Sequence, residues 1–144
     1  MKSLNVLNVL HVLSRKQMRI FSPEEFRRLF GVSLRATQEF IKDHNRDLFI
    51  KMRNGLYALR SEPPHELEIA NRLYCPSYVS LEYALAYYRL IPEIVYTVTS
   101  VTTKITRDFM VQGKNYEYSR IKKGGYTGYR LMQVGRTKVL MAVP

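Results

Sequence analysis

The chain has 144 residues, 46% of them apolar, and a formal net charge of +11 at pH 7. That length holds one ordinary domain or two small ones, the apolar share is enough for a packed core, and the positive excess favours a polyanionic partner, either nucleic acid or an anionic membrane surface. A single cysteine, Cys75, excludes an internal disulfide framework and fits a reducing compartment, so a cytoplasmic location is expected.

Residues 3–14 place Leu4, Leu7, Leu10 and Leu13 at i+3 spacing, with Val6, Val9 and Val12 beside them, which predicts a helix buried under a small domain. Asn5, Asn8 and His11 interrupt the run, which is too short and too polar to span a bilayer, and no small-residue cleavage site comes after it. No membrane partner is therefore expected.

Ser22, Pro23 and Glu25 spell a helix start: an N-cap, a proline at the first helical position and the acidic partner of a capping box. Phe26, Leu29 and Phe30 give this helix its apolar face, and Gly31 supplies the flexible residue for a sharp turn. Ser33 then caps a helix predicted over residues 34–45. On a helical wheel Leu34, Ala36, Phe40 and Ile41 share one side, while Arg35, Gln38, Glu39 and Lys42 share the other. Arg pairs with guanine O6 and N7 and Gln with adenine N6 and N7, so Arg35 and Gln38 are the candidate base readers and Lys42 a candidate phosphate contact. An ordinary solvated helix face is the plainer account of these four residues taken alone.

The next segment of the chain favours DNA. Residues 49–53 and 56–60 read as two strands joined by Asn54-Gly55, the dipeptide suited to a type I′ turn. A basic hairpin after the second helix of a helix-turn-helix is a wing, and Lys51, Arg53 and Asn54 on it are expected to reach a phosphate or a minor groove. The candidate DNA-binding set is thus Ser33, Arg35, Gln38, Lys42, Lys51, Arg53 and Asn54. The charge is densest here: residues 1–60 carry twelve Lys/Arg against five Asp/Glu, and residues 61–144 eleven against seven.

Glu62-Pro63-Pro64 is a stiff connector, which separates a winged helix-turn-helix over 1–62 from a second domain over 65–144. Helices are predicted over 65–74 and 81–89, then strands over 94–103, 108–112, 116–121, 126–134 and 138–143. The expected fold class is α+β, with two helices packed on an antiparallel sheet in the second domain. That sheet interleaves Tyr116, Tyr118, Tyr126 and Tyr129 with cations such as Lys104, Arg107, Arg120 and Arg130. Packed strand tyrosines are the plainer account, and a surface for a protein or RNA partner is the alternative.

Catalysis finds little footing. His11, His44 and His65 lie in separate segments without metal-ligand spacing, no Asp or Glu is followed two positions later by Lys, and Gly124-Gly125 lacks the ending of a phosphate loop. Cys75 is expected to be a small buried side chain. No enzyme activity, cofactor or metal is expected.

Four stretches carry a family resemblance: RNGLYAL at 53–59, IANRLYCPSYVS at 69–80, LEYALAYYRLIP at 81–92 and VTSVTT at 98–103. Their order, from about Phe21 onward, resembles the AbiEi-type antitoxins of bacterial abortive-infection, type IV toxin-antitoxin systems. The resemblance implies a repressor of its own operon that binds double-stranded operator repeats upstream through the winged domain. It further implies an antitoxin that counteracts a nucleotidyltransferase-like toxin without a stable direct complex. Members of that family are expected to continue past the position of Val143-Pro144 with a largely helical region, so the second domain is expected to be incomplete at its C-terminus.

Overall fold

The computed structural model describes residues 4–144, in which capping and apolar spacing produce five α-helices and two sheets, a mixed α+β chain. The chain divides into two compact units, 1–64 and 65–144.

In the first unit, α1 (Val6–Arg15) starts at Asn5, whose side chain accepts from the Asn8 amide at 3.2 Å. Ser3, where the sequence places the start, lies outside the described residues. The buried stripe is Val9 and Leu13, with Leu4, Val6 and Leu10 packed against the same core, while Leu7 is 78% exposed, so the leucine row faces the core except at Leu7. At about 100° per residue, Leu7 falls about 120° around the helix from Leu13, which takes it off the stripe. Four-residue spacing, from Val9 to Leu13, stays closer to it.

Helix α2 (Pro23–Phe30) has the full capping box: the Glu25 amide donates to Ser22 Oγ at 3.2 Å and the Ser22 amide to Glu25 Oε1 at 3.0 Å. Gly31 ends it at φ +63°, a left-handed conformation that costs glycine little. Helix α3 (Leu34–Asp43) comes next, and it buries Thr37, Phe40 and Ile41. Strands β2 (Phe49–Arg53) and β3 (Leu56–Leu59) form the expected hairpin, and the two-residue strand β1 (Ile20–Phe21) joins β3 antiparallel to complete a three-stranded sheet. Phe21, Phe26, Phe40 and Phe49 meet between these helices and the sheet, with Phe21 and Phe49 edge to face at 5.2 Å.

The hairpin turn differs from expectation. Gly55 is left-handed at φ +78° but Asn54 is not, so the turn is not type I′. The register shifts between Lys51 and Arg53, and a bulge there supplies twist, which leaves one left-handed residue sufficient.

The second unit runs α4 (Glu66–Leu73), β4 (Ser77–Val79), α5 (Leu81–Tyr87), β5 (Val98–Thr102), β6 (Arg107–Val111), β7 (Lys114–Arg120), a 3₁₀ turn at Lys123–Gly125, β8 (Tyr129–Val134) and β9 (Thr137–Ala142). Its six strands lie in the order β6-β7-β5-β4-β9-β8, and β5-β7 and β4-β9 are parallel. The sheet is therefore mixed and not antiparallel as the sequence suggested. Each outer hairpin explains one parallel pair: β6 and β8 lie at the edges, and their returning partners β7 and β9 insert beside β5 and β4. The type I′ signature, with both turn residues at positive φ, occurs at Gln112 (φ +54°) and Gly113 (φ +76°) between β6 and β7.

Helix α4 covers one face of this sheet through Leu67, Ala70 and Leu73, and Tyr118 donates to the Ala70 carbonyl. Tyr78 points to the opposite face, where Tyr126 packs on it at 5.0 Å and the Thr127 carbonyl accepts from its hydroxyl at 2.9 Å. Cys75 is exposed rather than buried: it lies just past the end of α4, where its thiol donates to the Asn71 carbonyl at 3.1 Å. A helix end leaves such carbonyls without partners in the helix, and the thiol takes one of them.

Candidate nucleic-acid interface

Helix α3 and the β2-β3 hairpin hold all seven candidate residues in the first unit, but in three different situations. The Ser33 hydroxyl is used within the fold, accepting from the Ala36 amide at 3.1 Å as the α3 N-cap. At the hairpin tip the Arg53 guanidinium donates to the Asn54 carbonyl at 2.8 Å, and Asn54 is exposed. Gln38, Lys42 and Lys51 come together, lining one concavity of about 230 Å³ with Pro23, Ile41, Asn45 and Tyr57.

Helical and strand periodicity explain that convergence. Gln38 and Lys42 are four residues apart and share a face, and Lys51 is the cross-strand partner of Tyr57 on the neighbouring hairpin strand. Gln38, Lys42 and Lys51 are exposed, and among the described residues neither lysine has a carboxylate partner. Arg35 lies one turn earlier on the same row, where its Nε reaches Glu39 Oε1 at 3.3 Å. Both side chains of that pair are mostly exposed, so the pair is weak and can be exchanged for another anion or acceptor. Asn45 and Tyr57 were not singled out by the sequence; Asn45 comes three positions after Lys42 and Tyr57 faces Lys51, so both were within reach of the same periodicity.

Some other charges of this unit are neutralised locally. Arg27 and Arg28 both lie on Glu24, and the hydrogen bond from Arg27 holds the Glu24 carboxyl below its usual range. His44 Nδ1 and Asp47 Oδ2 are 3.2 Å apart, which lowers the Asp47 carboxyl likewise. The cations left for an outside anion therefore include the pair at the concavity.

Comparison with protein-family models gives no match to this chain, and no curated protein is significantly similar to it. No helix among the described residues is long and apolar enough to cross a membrane, and no cluster of His, Cys, Asp and Glu among them is arranged to hold a metal ion.

The second unit has an open cleft of about 770 Å³ beside α5, with Glu66, Tyr83 and Lys114 at one wall. Tyr83 donates to Glu66 Oε1 at 2.6 Å and Lys114 pairs with the other oxygen. Burial opposes the charge on Glu66, but hydrogen bonds from Lys114 and Tyr83 outweigh it and hold the carboxyl below its usual range. Burial, with Glu66 beside it, raises the Tyr83 phenol, and burial pushes Tyr116 up to about 12. A carboxylate with both oxygens engaged and a phenol that stays protonated make a poor acid-base pair near neutrality, and a good tie between α4, α5 and β7.

Proposed function

We propose that residues 22–60 form a winged helix-turn-helix and that the chain uses it to bind duplex DNA as a transcriptional repressor. The observation that carries this reading is the convergence of Gln38, Lys42 and Lys51, from a helix and a hairpin, on one concavity, with no carboxylate partner for either lysine among the described residues. Helix α3 enters the major groove, which is wide enough for one helix. Arg35 exchanges Glu39 for guanine O6 and N7, Gln38 reads adenine, and Lys42 and Lys51 hold phosphates on either side. Arg53 and Asn54 bring the hairpin tip to the backbone or the adjacent minor groove.

The resemblance of residues 53–103 to AbiEi-type antitoxins supports a more specific role: a cytoplasmic, non-enzymatic antitoxin of a type IV system that represses its own operon at upstream repeats and counteracts a nucleotidyltransferase-like toxin without a stable complex. The test is a gel shift of the full chain on DNA from upstream of its gene, with unrelated duplex as competitor. A shift that resists about a hundredfold excess of unrelated duplex is expected from the specificity of such readers. Equal competition by both duplexes contradicts a sequence-specific repressor, and co-expression with the neighbouring toxin gene tests the antitoxin role.

A further inference from the structure

One end of the six-stranded sheet gathers five cations that no carboxylate among the described residues neutralises. Strand register puts them there: Thr102 pairs with Arg120 and Arg107 with Tyr118, and the Arg120 amide donates to Thr106 Oγ1 at 3.0 Å. Lys104 and Arg107 leave and enter the sheet beside Arg120, and Lys122 and Lys123 come in the next segment. All five are exposed, and among the described residues none is in an ion pair. Arg120, Lys122 and Lys123 line a concavity of about 450 Å³. The acidic residues of the hairpin, Asp108 and Glu117, are cross-strand partners of each other, and strand alternation turns them to the face opposite Arg107 and Arg120.

Aromatic rings lie at the same end. Tyr74, just past α4, sits 5.3 Å from Tyr118 and 5.8 Å from Phe109, and its hydroxyl donates to the Ile105 carbonyl at 2.9 Å. The Arg107 guanidinium lies 4.5 Å from the Phe109 ring centre, and Lys104 Nζ lies 5.2 Å from that of Tyr74. Two of the five cations are thus held on ring faces, where they keep their charge for an outside anion. A planar guanidinium resting on a ring also offers its outer face to a flat partner.

Phosphates with stackable faces between them satisfy both features at once. Duplex DNA presents phosphates but keeps its base faces inside the stack, and an anionic membrane or an acidic protein offers charge without a regular series of flat rings. A single strand offers both. We propose that this end of the sheet binds single-stranded polynucleotide, with phosphates on Lys104, Arg120, Lys122 and Lys123 and a base stacked on the Arg107-Phe109 pair.

The test is fluorescence anisotropy of the full chain with labelled oligouridylate and oligothymidylate dodecamers. Single-strand affinity is expected to fall with salt at a log-log slope of about −0.7 per phosphate held. Replacing Arg107 and Arg120 with Ser, or Lys122 and Lys123 with Ser, is expected to weaken it by about tenfold or more. Lys42→Ser with Lys51→Ser is expected to leave it within about twofold while weakening duplex binding, so failure of either reading is visible without the other. Tighter binding of oligouridylate assigns RNA as the source, and tighter binding of oligothymidylate assigns DNA. The proposal is overturned if both unit-two variants bind single strands as well as the parent. It is also overturned if polyphosphate or anionic vesicles of phosphatidylglycerol displace the oligonucleotide as well as unlabelled oligonucleotide does.

Discussion

Replacing Lys42 and Lys51 together with Ser tests the concavity by its charge. Both side chains are exposed and outside the ion pairs of the first unit, so the double variant should fold as the parent does, within about 0.5 kcal/mol. If each lysine neutralises one phosphate, the log-log salt slope for duplex binding becomes shallower by about 0.9 per lysine, about 1.8 in total. At about 0.1 M salt the same counterion release contributes a factor of about eight per contact, so the double variant should bind roughly sixtyfold more weakly. Anisotropy titrations on upstream duplex between about 50 and 300 mM salt read both quantities. An unchanged slope with unchanged affinity refutes phosphate contact at this site. A lost affinity at unchanged slope refutes the charge-based part of the reasoning, because the lysines would then act without displacing counterions.

Single contacts give three further expected outcomes. Ser33→Ala removes the acceptor of the Ala36 amide and should cost the first unit about 1 kcal/mol in urea unfolding, with Ser33→Asp restoring most of it; no change would mean that water replaces the cap. Glu66→Gln should destabilise the second unit by about 1–2 kcal/mol at pH 7. Because Lys114 and Tyr83 lower the folded carboxyl below its unfolded value of about 4.3, that stabilisation is fully present above the unfolded value and is lost as pH falls through the folded one, so the gap should shrink as the pH is taken below the unfolded value; a gap constant with pH contradicts it. Gln112→Asn should raise stability by about 0.5 kcal/mol, since Asn tolerates the left-handed conformation that Gln112 holds, and a loss in urea unfolding would count against the turn assignment.

Local signals made the first unit legible. The Ser22-Glu25 capping box, the left-handed Gly31, the Ser33 cap and the hairpin at Asn54-Gly55 each depend on residues within a few positions of one another. The exposed row of Arg35, Gln38 and Lys42 came from helical periodicity, whereas the Arg35-Glu39 pair was not anticipated although its four-residue spacing allows it. Strand β1, two residues long, and β4, three residues long, are too short to show an alternation, so neither was anticipated. The parallel pairs depend on which strand inserts beside which, a choice made across long stretches of chain. For the same reason the cation-rich end of the sheet could be read as composition but not as a place. Arg53 illustrates the limit at a single residue: its charge pointed outward in the pattern, but one guanidinium nitrogen is committed to the Asn54 carbonyl beside it.

The proposed repressor grips duplex DNA by the face formed from α3 and the hairpin. An NMR titration of the isotopically labelled full chain with duplex from upstream of its gene tests that claim most directly. Amide and side-chain shifts are expected to concentrate at Arg35, Gln38, Lys42, Lys51 and Asn54, with unrelated duplex moving the lysines but not Gln38. Shifts confined to residues 65–144, or none at low salt, would contradict it.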